Sequence, residues 1–358
     1  MSKGRFMFSL FFMLVLAFVL LVPAIWGVRC LPSEKYQMLA AFPIQHLENG
    51  SWKGMNLTWY GLLSASAYVL GTALGLVLLR ASGAPLWACG LTAMVLLCIC
   101  VPASRWIARI VEGKRHTFTV GGASFLGILL APWVLVGVNM LITRYGYPSI
   151  PAVSALAAMA LAYTCGEGMG RLACLSFGCC YGKPIRSLSP EKARFFKPMA
   201  IIFHGKTKKI SYAHQLDGEA VLPVQALTLF IHIFLCLAGL GFFLGGKPLW
   251  TVFLCLGGTQ IWRVLSEFLR ADYRGEQVFS AYQIMALSTL PYIFLCLKLP
   301  VFSEKMVFVP DLKAGLALLW TPEVLTGLFL LWILTFFYTG RSTVTGSELR
   351  FFVHGDRI

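Results

Sequence analysis

Two arginines stand where an apolar chain ends or thins, and both could hold an anion. Arg171 sits in Gly168-Met-Gly-Arg-Leu-Ala-Cys-Leu-Ser-Phe-Gly-Cys-Cys-Tyr-Gly-Lys183, directly after an apolar run. Charge at such a place is costly and marks a functional site by default. Gly166, Gly168 and Gly170 beside it allow either close helix packing or the approach of a ligand to the backbone. In Arg263-Val-Leu-Ser-Glu-Phe-Leu-Arg270, the side chains of Arg263, Glu267 and Arg270 share one helical face at i, i+4 and i+7. Arg263 lies 16 residues beyond Lys247, which places it roughly 24 Å into a hydrocarbon core of roughly 30 Å. An unpaired charge there costs a few kcal/mol, so Glu267, one turn away, is the expected partner. The pair reads either as a structural lock between helices or as an arginine held ready for phosphate and oriented by Glu267.

Other reactive groups carry weaker signals. Gly166-Glu-Gly-Met-Gly170 lacks the spacing and the preceding strand of a dinucleotide loop. Cys165, Cys174, Cys179 and Cys180 are separated by intervals unlike those of zinc or iron–sulfur sites. They read as packing thiols or as an outer-face disulfide, and no metal or cofactor is expected. Trp59 and Tyr60 open an apolar run, as interfacial aromatic residues do, and Gly121-Gly122 opens another. Of six histidines, His116 is the one expected near the site.

The elements that must position these groups are membrane spans. Of the 358 residues, 58% are hydrophobic and 13% charged, against about a quarter charged in soluble domains. Apolar runs at 6–28, 57–79, 86–104, 119–142, 148–165, 222–245, 249–270, 278–297 and roughly 319–338 approach the length of a bilayer crossing. The expected fold is an all-α polytopic membrane protein, a bundle of about eight or nine transmembrane helices with a polar outer-face loop region. The first run exceeds a signal-peptide core and lacks a good cleavage site, so it is expected to be retained, with the N-terminus inside. Residues 1–56 are expected to form an additional helix and outer loop, 57–298 the core, and 299–358 an extension with a last span.

Thirty basic against 15 acidic residues give a net charge of +15. No soluble basic domain or RNA-binding aromatic motif accompanies the charge, so anionic lipid, not nucleic acid, is the expected partner. Alternating the spans puts the basic loops 105–118 and 171–221 outside, against the positive-inside tendency. Either the span count is off by one, or these cations stay outside because an anionic headgroup binds there.

Taken in order, Trp59-Tyr60-Gly61, Gly121-Gly122-x-x-Phe125-x-Gly127, Gly170-Arg171-x-x-Cys174-x-x-x-Gly178-Cys-Cys-Tyr-Gly182, Pro223-x-Gln225 and Arg263-x-x-x-Glu267-Phe-x-Arg270 resemble the motifs of prolipoprotein diacylglyceryl transferase, over about residues 57–290. The resemblance implies an enzyme of the bacterial inner membrane that moves diacylglyceryl from phosphatidylglycerol to the thiol of a lipobox cysteine, releasing glycerol phosphate at the outer face. It implies Tyr60, Arg171 and Arg263 as catalytic groups. Around them it implies Arg105 at an outer rim, with Glu267, Arg270, Gln225, Gly121, Gly122, Gly170 and His116 toward substrate. The chain departs from the family at Leu126, where a His or Tyr is usual, and at Ile128, where a Gly is usual. Cys174 and Cys179 replace Asn and Glu, as in a cysteine-rich variant, and Leu222 replaces His.

Guanidinium groups in a low-dielectric cavity suit this reaction, because attack of a thiolate on a glyceryl carbon builds negative charge on the departing phosphate. The nucleophile arrives with the acceptor, and its thiol, of pKa about 8.5, is readily lowered beside cations. The rival reading is a transporter or non-catalytic lipid-binding protein for an anionic lipid or solute, although no paired broken helices in two related halves support it. A helical subunit that stabilises a complex is a third reading.

Overall fold

The computed structural model describes residues 3–112, 120–271, 279–302 and 308–358. Helix α1 (Lys3–Cys30) leads into strands β1 (Met38–His46) and β2 (Trp52–Thr58). Four helices follow: α2 (Trp59–Ala81), α3 (Leu86–Glu112), α4 (Val120–Arg144) and α5 (Ala152–Phe177). A loop region with α6 (Pro190–Phe196), β3 (Ile201–Ile202), α7 (Lys209–His214) and β4 (Ala220–Val221) precedes α8 (Val224–Leu244). Next, α9 (Pro248–Val252), a π-helical turn at Phe253–Gly257 and α10 (Gly258–Glu267) run as one interrupted rod. Helices α11 (Ala281–Lys298), α12 (Leu312–Leu318) and α13 (Pro322–Gly340) lead to β5 (Arg341–Leu349).

Eight of these helices, α1 to α5, α8, α11 and α13, are long and apolar enough to cross a membrane. The protein is an all-α polytopic membrane protein, as its composition required. The order of strands supplies the crossing number. β5 pairs antiparallel with β2 and β2 with β1, so the end of α13 and the start of α2 lie on the same side. An even number of crossings must separate them, which requires the α9–α10 rod to cross as well. That makes nine among the described residues.

The stretch 29–56, expected as an outer loop, carries the β1–β2 hairpin instead. Its turn explains why: the Asn49 side chain accepts hydrogen bonds from the Ser51 amide at 3.0 Å and the Ser51 hydroxyl at 2.7 Å. Gly50 takes a φ of +78° that a side chain would resist. Asn49 Nδ2 also donates to Glu348 Oε1 at 3.1 Å, tying the first and last segments of the chain together.

Helix α5 is the axis of the bundle. Of its most apolar window, 78% is buried, against 22% for α1 and 11% for α13, whose outer faces are left for lipid. Exposed Phe6, Phe11 and Phe18 on α1 are what such a face requires when the solvent is hydrocarbon. Small residues bring the axis close to its neighbours: a Cβ at Gly71 of α2 would stand 2.9 Å from the Ala162 carbonyl and 3.1 Å from Gly166 of α5.

Arg171 lies within α5, not in a turn after it. The glycines at 166, 168 and 170 do not end the helix because it is sheathed by α2 and α8. Termination comes at Gly178, in the left-handed conformation at φ +69°, with its N–H donating to the Cys174 carbonyl at 2.9 Å. The buried ammonium of Lys208 then donates to the Ser176 carbonyl at 2.6 Å and the Leu31 carbonyl at 3.1 Å, fastening the end of α5 to that of α1.

Candidate active site

Glu167 and Arg171 are one turn apart on α5, and the guanidinium Nη2 of Arg171 donates to Glu167 Oε1 at 2.6 Å. Arg263, from α10, reaches the same oxygen through its own Nη2. Two guanidinium groups from separate helices therefore converge on one carboxylate, with Glu167 2% exposed and the arginines 10% and 12%. The charges sum to +1, a surplus in a nearly water-free place.

Neighbouring side chains hold the trio. Tyr163, one turn before Glu167, accepts from Arg263 Nη2 at 3.5 Å and from Gln260 Nε2 at 3.1 Å. Gln283 of α11 donates to the Val264 carbonyl at 3.1 Å, fixing α10 next to Arg263. Gly121 of α4 leaves room for that arginine: a Cβ there would stand 2.9 Å from both Arg263 Nη1 and the Tyr282 ring. Gly168 leaves room on the other side, since its missing Cβ would come within 2.6 Å of His232 Cβ on α8.

His232 completes the wall. Its Nδ1 lies 2.8 Å from the Thr228 carbonyl, which can only accept, so Nδ1 carries hydrogen. Nε2 then faces Glu167 Oε2 at 3.9 Å. That gap suits a group able to donate both ways, such as a water or a substrate hydroxyl.

Between these side chains lies a cavity lined by Glu167, Arg171, Cys180, Gln225, His232 and Arg263, and also by Trp262, Glu267 and Arg270. The space open to a water centre is about 10 Å³, enough for one water. Five buried polar atoms around it have no partner: Nε of Arg171 and of Arg263, Glu167 Oε2, Gln225 Oε1 and His232 Nε2. Native proteins rarely leave so many unsatisfied groups together, and a cluster of them marks a place built for something polar.

The structure brings together Arg171, Arg263, Gln225, Glu267, Arg270 and Gly121 of the residues singled out in the sequence. It corrects one pairing: Glu267 lies 3.5 Å from Arg270, whereas the carboxylate that meets Arg263 is Glu167. Glu267 and Arg263 share a helical face, but α5 lies against that face and supplies the closer anion. Four other residues stand apart from the cavity wall. Arg105 is exposed and lies over the Tyr338 ring at 4.1 Å. Tyr60 packs on Phe177 at 5.5 Å between centroids. Gly122 faces Ile107, and Gly170 has open space where a side chain would be. His116 lies outside the described residues.

Sequence reasoning missed Glu167 and His232, and both left a trace. Glu167 and Arg171 have ion-pair spacing, i and i+4, and Gln225, Thr228 and His232 fall on one face at i, i+3 and i+7. The profile of the prolipoprotein diacylglyceryl transferase family matches residues 51–299, covering α2 through α11 and the whole cavity. Curated proteins give no match to the chain.

Proposed function

Because the chain belongs to the prolipoprotein diacylglyceryl transferase family over residues 51–299, we propose that it transfers diacylglyceryl from phosphatidylglycerol to the thiol of a lipobox cysteine at the outer face of a bacterial inner membrane. The observation that carries the reading is the pair of buried guanidinium groups gathered on Glu167 with both Nε atoms unpartnered. A donor phosphodiester brings one negative charge to a trio of net charge +1. Guanidinium N–H groups bind phosphate oxygens in a fixed fork, which a lysine could not imitate.

In the reaction the acceptor thiolate attacks the terminal glyceryl carbon. The new S–C bond forms as the C–O bond to phosphorus breaks, and the electron pair leaves on the phosphate oxygen. Glycerol phosphate departs with one more unit of negative charge than the diester carried, until a proton joins it. Arg171 and Arg263 oppose that developing charge, and their preorganisation on Glu167 means that little reorientation is needed at the transition state. His232, across the gap from Glu167 Oε2, is placed to hold a proton near the leaving oxygen. Gln225, its amide donating to the Cys179 carbonyl at 2.7 Å, turns Oε1 toward the cavity and suits a glycerol hydroxyl. A cavity of about 10 Å³ admits no headgroup, so binding involves separation of α10 from α5 or exchange of the Glu167 contacts for phosphate.

The test uses purified full-length protein with labelled phosphatidylglycerol and a lipobox peptide, following the thioether product. Arg171→Lys and Arg263→Lys keep the charge and lose the fork. Each is expected to lower kcat/KM by about 100-fold or more, the scale of one lost transition-state donor. Product formation at the wild-type rate in both variants would defeat the assignment.

A further inference from the structure

Beside the arginine cavity lies a second cluster that the sequence treats as packing. The sulfurs of Cys174, Cys179 and Cys180 all lie within 4.8 Å of one another, and none of the three is in a disulfide. Cys174 is on the last turn of α5. Two residues in the left-handed region, Gly178 at φ +69° and Cys180 at φ +58°, fold the following chain back on it. For glycine that conformation is free of strain. For cysteine it costs of order 1 kcal/mol or more, and such strain persists where a clamp is being built. The same turn brings the sulfurs of the adjacent Cys179 and Cys180 to one place despite intervals unlike those of common zinc sites.

We propose that Cys174, Cys179 and Cys180 form a three-thiolate site for a thiophilic d¹⁰ cation, with zinc as the fitting ion, and that its open fourth position takes the acceptor thiol. Zinc–sulfur bonds of about 2.3 Å in a tetrahedron set sulfurs about 3.8 Å apart, and small rotamer adjustments bring this cluster to that spacing. Three protein ligands with one open position is the arrangement of a catalytic zinc centre, whereas a fourth cysteine would close it. On metal binding the three thiols, Cys174 and Cys179 buried and Cys180 half-buried, would lose their protons, and a divalent ion opposes the resulting charge alongside Arg171 on the same face of α5.

The assignment of the fourth position rests on the proposed transfer reaction. Cys180 lines both the cluster and the arginine cavity, so a sulfur held there lies next to the donor phosphate site. On binding, the acceptor thiol loses its proton to water and stays as thiolate. That thiolate forms the S–C bond while the C–O bond to phosphate breaks, with no redox change and no further reagent. A metal-held thiolate also supplies what Leu126 and Leu222 withhold, a means of deprotonating the acceptor without a histidine at either position.

The experiment is elemental analysis of the full-length protein, purified reduced and incubated with Zn²⁺, with cobalt replacing zinc in a parallel sample. The expected result is one metal per chain, a thiolate-to-cobalt charge-transfer band, and loss of both in Cys174→Ser, Cys179→Ser and Cys180→Ser. Perturbation of the cobalt band by a lipobox peptide, and not by the same peptide with Ser for Cys, is expected from the open position. The wild-type band is informative even if a variant fails to fold. Absence of metal from reduced wild-type protein, or a disulfide between two of these residues in the protein as isolated from membranes, would overturn the site. Transfer that proceeds at full rate without metal would overturn its role while leaving the reaction standing. Stoichiometric metal with no transfer would instead remove the reaction and leave the site.

Discussion

Glu167→Gln isolates the central electrostatic claim, because it keeps the side-chain volume and removes one charge. Unit charges about 4 Å apart at an effective dielectric constant of about 20 attract by about 4 kcal/mol. Glu167 makes two such contacts, offset by desolvation of three ions and by repulsion between the arginines. With exposures of 2%, 10% and 12%, little solvent screens any of them. Removing one member of a buried ionic network leaves unpaired charge and costs about 3–5 kcal/mol. For a chain of this size that corresponds to a fall in melting temperature of roughly 4–7 °C. The two guanidinium groups, no longer gathered on one oxygen, should also lose their alignment, and kcat/KM for transfer should fall by about 100-fold. The assay pairs thermal unfolding in detergent with turnover of labelled phosphatidylglycerol, each with and without added glycerol phosphate. Because the variant carries an uncompensated charge of +2 where the wild type carries +1, glycerol phosphate should raise its melting temperature more than that of the wild type. If Glu167→Gln melts with the wild type, turns over normally and gains nothing from the anion, then Glu167 is not the counterion that organises the site.

Two further outcomes follow from particular contacts. Gly121→Ala places a methyl group 2.9 Å from Arg263 Nη1 and from the Tyr282 ring. It should cost transfer activity at least 10-fold through displacement of the guanidinium, with a smaller loss of stability, as separate turnover and melting measurements would reveal. Burial pushes the Lys208 ammonium down to about 8, against a weaker upward pull from Glu34. A base lowered on folding binds fewer protons folded than unfolded, so between about pH 8 and its ordinary value near 10.5 the wild type should gain stability with rising pH. Lys208→Met should lack that gain, which is read as the difference between the two melting temperatures across that range. The variant should also be less stable throughout, since the Ser176 and Leu31 carbonyls lose their donor.

The spans were legible because lipid imposes a one-dimensional rule, a run of apolar residues long enough to cross, and each of the nine runs in the sequence corresponds to helix in the structure. The β1–β2 hairpin escaped that rule, although Asn49-Gly50 is a turn signal in its own right. The site was half legible for a related reason. Arg171 and Arg263 stand out in any hydropathy reading, but the partner of a buried charge is decided by which helix packs on which, and periodicity along one chain segment cannot report it. Glu267 was the nearest carboxylate to Arg263 in sequence, one turn away on the same helix. In space, Glu167 is nearer because Gly71, Gly121 and Gly168 let α2, α4 and α8 close around α5 and α10. Of the two readings the sequence left open for Gly168, close helix packing and the approach of a ligand, the structure shows the first: it lets two charged helix faces meet in the interior. The cysteines invert the lesson: their sequence intervals argue against a common ligand, yet a left-handed residue on either side of Cys179 gathers three sulfurs next to Arg171. Backbone geometry at two positions thus converts three thiols that read as packing into a site beside the anion pocket, where acceptor and donor chemistry would have to meet.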